Sequence, residues 1–369
     1  MKVTYPLMGN LDIGLRAMMG RLGLEIVEAP PISKRTLSLG VQYSPEFACL
    51  PFKVNLGNFI EALERGADTI VVAGGKGPCR FGYFGQTQAE ILKSLGYKFK
   101  YIIVEAADGD GDQFAAGVRT LANGRSTWDV VKAVHFGYRK LCACDLALKL
   151  SHKVRASEVN RGETTRVFKE CLDLVDSAAT VWEVKRAEAA IRKKFAAIPV
   201  DRNRRPLKIG LVGEIYFLLE PAVNLHVEER LGEMGVVVRK SLFISDWVRN
   251  HIFLGAIGLS PGRHYRREAL PYLSTEVGGH GMETVGKAVQ FSHEGCDGLI
   301  QVAPFTCMPE IVSKSILPSV SYELGIPVMS LFLDEHSGEA GFQTRLEAFC
   351  DLLARRKKWG KAHARLPRS

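Results

Sequence analysis

Short apolar strands and amphipathic helices alternate along most of the chain, and glycines separate them. This alternation leaves few folds open, because consecutive strand–helix–strand units build parallel sheets that helices cover. In the first part of the chain the pattern predicts strands at about Met1–Tyr5, Glu25–Ala29, Thr69–Ala73 and Tyr101–Val104. It predicts helices there at about Leu11–Leu22, Val54–Glu64 and Gln86–Leu95.

The same pattern resumes after the hydrophilic stretch DRNRRP. It predicts strands at Leu207–Val212, Val236–Arg239, Leu299–Ala303 and Val328–Phe332, and helices at about Glu220–Leu231, Pro309–Leu324 and Thr344–Arg355. The intervening stretch, from Asp112 to about Lys194, has helical periodicity and almost no Gly or Pro. We therefore expect an α/β protein with two Rossmann-like parallel-sheet domains, residues 1–111 and 206–354, a helical insert at 112–205 and a basic tail at 355–369.

The two α/β halves also resemble each other. Asn10-Leu11 followed by Arg21-Leu22-Gly23 matches Asn224-Leu225 followed by Arg230-Leu231-Gly232, and each precedes a predicted strand. Gly66-Ala67-Asp68 and Gly295-Cys296-Asp297 each lead into an apolar strand and then into a loop with a cysteine. These matches indicate an ancient internal duplication, although any doubly wound fold produces helix, glycine and strand in this order.

Most of the net charge of +9 comes from one end of the chain. The stretch from Arg355 onward carries seven Lys and Arg residues and no acid, so the rest is close to neutral. We expect a frayed, solvated tail, with a docking segment for an acidic partner as the alternative, and no nucleic-acid partner. No apolar run is long enough to span a membrane, and no signal peptide pattern opens the chain, so we expect a cytoplasmic protein.

Three of the eight cysteines share a local setting. Cys49 precedes a predicted helix, while Cys79 and Cys307 each follow a predicted strand directly. The carboxyl ends of parallel strands meet at one edge of a sheet, which is the usual ligand crevice of this fold. A proline lies next to each of these cysteines or two residues after it, and nearby helix N-termini favour a thiolate. The pattern predicts that Cys49, Cys79 and Cys307 bind metal.

Thiolates without a nearby histidine favour an iron–sulfur cluster, with zinc bound by three cysteines and a water as the alternative. Three protein ligands leave one iron of a cubane open for another ligand. The remaining cysteines are interpreted as packing residues; they are Cys142, Cys144, Cys171, Cys296 and Cys350. The alternative for Cys142 and Cys144 is that they add ligands to the cluster, if the insert folds over the crevice.

A glycine-rich loop follows the third predicted strand. It includes Gly75, Lys76 and Gly77 but lacks the spacing of a phosphate-binding loop, and no dinucleotide fingerprint occurs elsewhere. We therefore expect no ATP hydrolysis by this chain. The glycines are predicted to let backbone N–H groups approach the cluster and tune it.

Several ionisable residues lie at predicted loop positions near the cysteines. Lys53, His280, Glu310 and Glu335 are predicted to line a crevice between the two domains and to act on a substrate there. The simpler alternative for any one of them is a helix cap or a surface charge.

The segments ACLPFKVNLGNFIEALERGAD, AGGKGPCRFGYFGQ, VGEIYFLLEPAVN, GGHGMET, VAPFTCMPE and LDEHSGEAGFQTRLEAF carry a family resemblance. Together they resemble the acyl-CoA dehydratase activase-related proteins, which are similar to the 2-hydroxyacyl-CoA dehydratase subunits and the double-cubane cluster protein. The resemblance spans nearly the whole chain and includes all three cysteine loops. It implies Rossmann-like domains that enclose an iron–sulfur cluster, and a separate ATP-hydrolysing activase that supplies a low-potential electron.

Carried over by position, the resemblance makes Cys49, Cys79 and Cys307 the cluster ligands. It implies either one [4Fe–4S] unit or a part of an [8Fe–9S] double-cubane cluster, which needs more thiolates than these three. It also implies a homodimer or a heterodimer with a related subunit, and an acyl-CoA or another small substrate. The leading expectation is a reductase or dehydratase-type component, and the alternative is a non-catalytic subunit that carries a cluster.

Overall fold

The computed structural model describes residues 1–74, 81–105, 111–254 and 262–363. Their strands form two separate sheets, each of four parallel strands. The first sheet contains β1 Lys2–Thr4, β2 Glu25–Ile26, β3 Thr69–Gly74 and β4 Lys100–Glu105. The second contains β5 Leu207–Gly213, β6 Val236–Lys240, β7 Gly298–Pro304 and β8 Val328–Leu333. The predicted fold class, two Rossmann-like parallel-sheet domains with a helical region between them, is confirmed.

Both sheets have the same strand order. The order is β2-β1-β3-β4 in the N-terminal sheet and β6-β5-β7-β8 in the C-terminal one. Every residue of β7 is buried, as expected for a central parallel strand with helices on both faces. The carboxyl ends of the strands therefore form one edge in each domain, where the following loops collect.

The helices of the N-terminal domain are α1 Leu11–Arg21, α2 Lys34–Tyr43, α3 Leu50–Glu64, α4 Phe81–Ser94 and α5 Gly111–Leu121. Helix α3 begins one turn earlier than the predicted Val54. Cys49 is its N-cap and Pro51 lies in its first turn, where a missing backbone N–H removes no helical hydrogen bond. Helix α5 packs on β4, since a Cβ on Gly117 would lie 3.3 Å from the carbonyl oxygen of Ile103.

Three longer helices form the insert, and they have a core of their own. They are α6 Thr127–Val154, α7 Glu163–Ser177 and α8 Val181–Ala196. Helix α1 packs tightly on α6, because a Cβ on Gly137 would lie only 2.6 Å from the carbonyl oxygen of Gly14. The insert is thereby fixed to the N-terminal domain by backbone-to-backbone contact.

The helices of the C-terminal domain are α9 Ile215–Leu219, α10 Val227–Glu233, α11 Ile244–Trp247, α12 Arg263–Ala269, α13 Gly281–His293, α14 Met308–Leu324 and α15 Glu339–His363. The predicted helix Glu220–Leu231 is wrong over its first seven residues, because α10 begins only at Val227. Glu220 is extended because Pro221 follows it, and Leu225 and His226 both have φ of +55°, so the chain turns before α10 starts.

Helix α15 continues beyond the predicted Arg355. It extends to His363, so the first part of the predicted frayed tail is helical, and residues 364–369 lie outside the described residues. Arg356 donates to the carbonyl oxygen of Gly325 at 2.6 Å, and Lys357 Nζ lies 2.8 Å from Asp297 Oδ2. These contacts with the domain hold the start of the basic segment. No described helix is long and apolar enough to cross a bilayer.

Helix α3 lies between the two domains. Each of its residues from Leu50 to Leu63 is buried, which is typical of a helix packed on all sides. Leu50 and Val54 belong to the apolar core of the C-terminal domain, whereas Phe52 and Leu56 belong to that of the N-terminal domain. One helix therefore packs in both cores, and Cys49, its N-cap, lies at the domain boundary.

The two halves repeat in detail as well as in strand order. The backbone N–H of Asp68 donates to the carbonyl oxygen of Lys2 at 2.9 Å, and the Asp68 carboxylate accepts the N–H of Lys2 at 2.8 Å. Asp297 makes the same two bonds with Lys208, at 2.7 Å and 2.8 Å. Each aspartate thus clamps the third strand of its sheet to the first.

One of the matches made from sequence is three residues out of place. Gly232, paired with Gly23 in the sequence, lies inside α10, where a Cβ would meet the Arg155 side chain at 2.6 Å. The equivalent of Gly23, with φ of +76°, is Gly235, with φ of +79°, because both end a helix just before a strand.

Candidate functional site

Two of the three predicted ligand cysteines begin helices at the domain boundary. Cys49 is the N-cap of α3, and Cys307 is the N-cap of α14. Both are half-buried, and both are followed two residues later by a proline in the first helical turn. A thiolate at either position lies next to backbone N–H groups that have no partner within the helix, and these favour negative charge.

The two cysteine loops touch each other. Thr306, directly before Cys307, donates its hydroxyl to the carbonyl oxygen of Phe47, two residues before Cys49, at 3.5 Å. Thr306 has φ of +72°, which is a strained conformation for a β-branched residue. The contact joins the loop before Cys49 to the loop before Cys307. The predicted convergence of the three cysteines stays a prediction.

Cys79 and the glycine-rich loop of Gly75, Lys76 and Gly77 lie outside the described residues. Helix α4, which starts two positions after Cys79 in the sequence, packs on the first turn of α3. The rings of Phe52 and Phe84 meet edge to face with centroids 5.0 Å apart. Gln88 Nε2 also donates to the carbonyl oxygen of Phe52 at 3.2 Å.

The side chains available as ligands near Cys49 and Cys307 indicate which kind of metal centre this site would bind. Within the described parts of the chain, no group of three His, Cys, Asp or Glu side chains is arranged to hold a metal ion. Cys49 and Cys307 supply two sulfur donors on adjoining loops, which suits a soft metal centre or an iron–sulfur cluster. The third predicted donor, Cys79, belongs to the part that is not described.

The other cysteines lie in different surroundings. Cys144 and Cys171 are buried in the core of the insert, and Cys350 is buried in the core of the C-terminal domain, as expected of packing residues. Cys142 is half-buried on α6, where desolvation raises the pKa of its thiol. Cys296 is half-buried just before β7, at the opposite end of that strand from Cys307, and burial raises its pKa to about 11.

Two of the predicted site residues form an ion pair across the domain boundary. Lys53 Nζ lies 2.5 Å from Glu335 Oε1, and the two side chains are only 8% and 15% exposed. Lys53 is in the first turn of α3, and Glu335 is in the loop after β8. Their sequence positions are distant, so only the fold brings them together.

Glu310 is inside the C-terminal domain. It is fully buried on α14, accepts hydrogen bonds from Thr284 at 2.9 Å and from Gln301 at 2.8 Å, and contacts no bulk water. Burial raises the pKa of its carboxyl group to about 7. Gln301 in turn accepts from Ser330 at 2.7 Å, so a chain of polar groups links β8, β7, α14 and α13.

His280 and Glu283 lie side by side at the start of α13. His280 Nε2 is 4.0 Å from Glu283 Oε2, and both side chains are mostly buried, at 17% and 15% exposed. Desolvation lowers the pKa of His280 to about 4, with repulsion from His251 adding to the effect. Because the pKa of His280 is about 4, its imidazole is uncharged at neutral pH. Desolvation raises the pKa of the Glu283 carboxyl group to about 7.

The partners of Glu310 were not predicted from the sequence. Gln301 is the one polar residue in the apolar strand LIQVA, and a polar residue at the centre of a buried strand indicates a hydrogen-bonded partner. Thr306 was missed because a left-handed conformation is rare for threonine, and sequence gives no signal for it.

In comparisons with known proteins, no protein-family model matches this chain, and no curated protein matches it.

Proposed function

We propose that this protein binds an iron–sulfur cluster through Cys49, Cys79 and Cys307 and acts as a reductase or dehydratase-type component. One observation carries the proposal: cysteines from two different domains cap two helices on loops that touch. Packing alone gives no reason for two half-buried cysteines of different domains to lie at helix N-termini on adjoining loops. Helix N-termini favour the thiolate form that ligates a metal centre.

The protein's part is to hold the cluster and its charge. The N-terminal N–H groups of α3 and α14 would stabilise the thiolates and the negative cluster between the domains. Proline in the first turn of each helix limits the motion of both cysteines. The cluster would supply one-electron chemistry and an iron site open to a substrate.

The electron is proposed to come from a separate ATP-hydrolysing activase, as the family resemblance implies, since the sequence lacks a phosphate-binding loop. An acyl-CoA or another small molecule is the proposed substrate. A reducing cytoplasm, which keeps thiols free for metal, suits this role, and so does assembly as a homodimer or with a related subunit.

Iron and sulfide analysis of anaerobically prepared protein tests the cluster. Cys49→Ala, Cys79→Ala and Cys307→Ala are each expected to lose or convert the cluster. Cys296→Ala is the matched control, because this half-buried cysteine lies at the other end of β7. Wild-type protein that contains zinc and no iron, or three single variants with unchanged iron content, would refute the assignment.

A second measurement separates the enzyme from a cluster-carrying subunit. Reduced protein plus activase is expected to turn over a 2-hydroxyacyl-CoA or a related small substrate without any further subunit. Turnover that appears only when another subunit is added would favour the carrier function.

A further inference from the structure

Lys53 and Glu335 form an ion pair that joins the two domains beside the cysteine loops. Their 2.5 Å contact is almost closed to water, in contrast to the exposed ion pairs elsewhere on the surface. Lys53 is 6% exposed as a residue, so its side chain points into the boundary between the domains. A charge in such a place requires its partner.

Lys53 moves with Cys49. Its backbone N–H donates to the carbonyl oxygen of Cys49 at 3.3 Å, within the first turn of α3. A displacement of the lysine therefore displaces the cysteine that caps the helix. The carbonyl oxygen of Lys53 also lies against Gly40 of α2, where a Cβ would come within 2.0 Å of it, so this turn has no room to shift alone.

Glu335 is tied to the loop of Cys307 through the sheet. The ladder between β7 and β8 runs to Pro304 and Leu333, and Phe305 extends it by donating to the carbonyl oxygen of Leu333 at 2.8 Å. Glu335 follows that point by two residues, and Cys307 follows it on the other strand. The ion pair thus connects one rigid turn with one rigid sheet edge.

We propose that Lys53 and Glu335 form a strut that sets the separation between Cys49 and Cys307, and that they are positioning residues. The inference rests on the proposed cluster and deepens it. It assigns no reacting role to either residue, because each charge already neutralises the other inside the boundary. The contact of Thr306 with Phe47 also connects the two cysteine loops, but it is longer and lies at the surface.

Thiol crosslinking in reduced, iron-free protein tests the strut without the cluster. A short bifunctional thiol reagent is added, and mass spectrometry measures the yield of the Cys49–Cys307 crosslinked peptide. Lys53→Met and Glu335→Gln are each expected to lower this yield at least about tenfold, because each leaves one buried charge unpaired and the boundary opens. The swap Lys53→Glu with Glu335→Lys is expected to restore it to within about twofold.

The matched control is Arg139→Met, which breaks a 2.6 Å ion pair with Glu188 inside the insert. It is expected to leave the Cys49–Cys307 yield unchanged. If the single variants do not fold, the swap variant decides the question, and a folded swap variant that fails to crosslink overturns the strut.

Iron content of the same variants separates the two proposals. A wild type that crosslinks but binds no iron refutes the cluster and keeps the strut between the two thiols. A wild type that binds iron, with single variants that crosslink as well as it does, refutes the strut and keeps the cluster.

Discussion

Two buried tyrosines differ in how their hydroxyl groups are satisfied. Tyr5 is 4% exposed and donates to Asp12 at 2.8 Å, whereas the hydroxyl of Tyr216, at 1% exposed, has no hydrogen-bond partner among the described residues. Burying an unpaired hydroxyl is unfavourable, since it loses its bonds to water and gains none.

Removing the unpaired hydroxyl should therefore not weaken the fold. We expect Tyr216→Phe to be neutral or to raise the free energy of unfolding by about 1 kcal/mol. The matched change Tyr5→Phe should lower it by about 1 kcal/mol or more, because Asp12 then loses a partner. Urea denaturation of both variants measures the difference, and a large destabilisation by Tyr216→Phe would show that the hydroxyl is satisfied after all.

Glu310 gives the stability of the protein a dependence on pH. Burial raises the pKa of its carboxyl group from the ordinary 4.5 to about 7, so the folded state holds this proton more tightly than the unfolded state does. A buried carboxyl group whose pKa is raised in the folded state stabilises the fold least at a pH where it is ionised. Its contribution therefore falls as the pH rises from about 4.5 to about 7 and is constant above that range.

Glutamine imitates the protonated acid at every pH and can still bond to Gln301 and Thr284. We expect the free energy of unfolding of Glu310→Gln, relative to wild type, to rise by about 1 to 3 kcal/mol between pH 5 and pH 8. Denaturation of the iron-free proteins across this range measures it. Curves that stay parallel would mean that Glu310 is ionised in the fold without penalty.

Much of the candidate site at this scale follows from local sequence, and some does not. Cys49 and Cys307 could each be placed before a helix because a proline follows two residues later, and for Cys307 the end of a strand is a second local signal. The burial of Glu310 could not, since it depends on Thr284 and Gln301 from two other elements. The pairing of Lys53 with Glu335 also depends on tertiary structure.

At the scale of elements, the two domains repeat one helix contact. Gly57 of α3 lies against α2, and Gly286 of α13 lies against α12, and a Cβ on either glycine would come within 2.0 Å of a facing carbonyl oxygen, of Thr36 or of Tyr265. The two glycines are 229 positions apart, and so are Thr36 and Tyr265. The two contact residues are therefore separated by the same number of positions, 21, in both halves.

Alanine at either glycine should push the two helices apart. We expect Gly57→Ala and Gly286→Ala each to lower the free energy of unfolding by about 2 to 3 kcal/mol, because backbone atoms must move. Gly20→Ala is the control, since Gly20 is a helical glycine with open space around it. That change should stabilise by about 0.5 to 1 kcal/mol. Similar effects at all three positions would contradict the close packing.

Strands were easier to predict than helices here. All eight predicted strands exist, because each is a short apolar run bounded by turn residues. The first part of the predicted helix Glu220–Leu231 is not helical for a local reason, since Pro221 keeps Glu220 extended. The true start of α3 was missed because its first turn is buried on every side and shows no amphipathic pattern.

At the scale of the whole molecule, α3 couples the domains. Leu50 packs in the core of the C-terminal domain and Leu56 in the core of the N-terminal one, although both lie on the same helix. The domains therefore share a helix and do not simply lie beside each other.

Leucine-to-alanine changes at these two positions should destabilise different domains. We expect Leu50→Ala, which removes about 2 to 5 kcal/mol of packing, to speed amide hydrogen exchange in β5 and β7 at least about tenfold. Leu56→Ala should leave β5 and β7 within about twofold of wild type while it speeds exchange in β3. Equal effects of both changes in β5 and β7 would mean that α3 does not divide its contacts in this way.

The position of α3 has a consequence for how the chain is made. Leu50 and Val54 leave the ribosome well before Ile209 and Leu211, which belong to the apolar core they enter. At about 5 to 20 residues per second, this interval lasts on the order of ten seconds or more. During that time the apolar side chains of Leu50 and Val54 are exposed to water, where chaperones and other nascent chains can bind them. Slowing synthesis between the halves should therefore increase aggregation, whereas in proteins with self-contained domains the same pause helps folding.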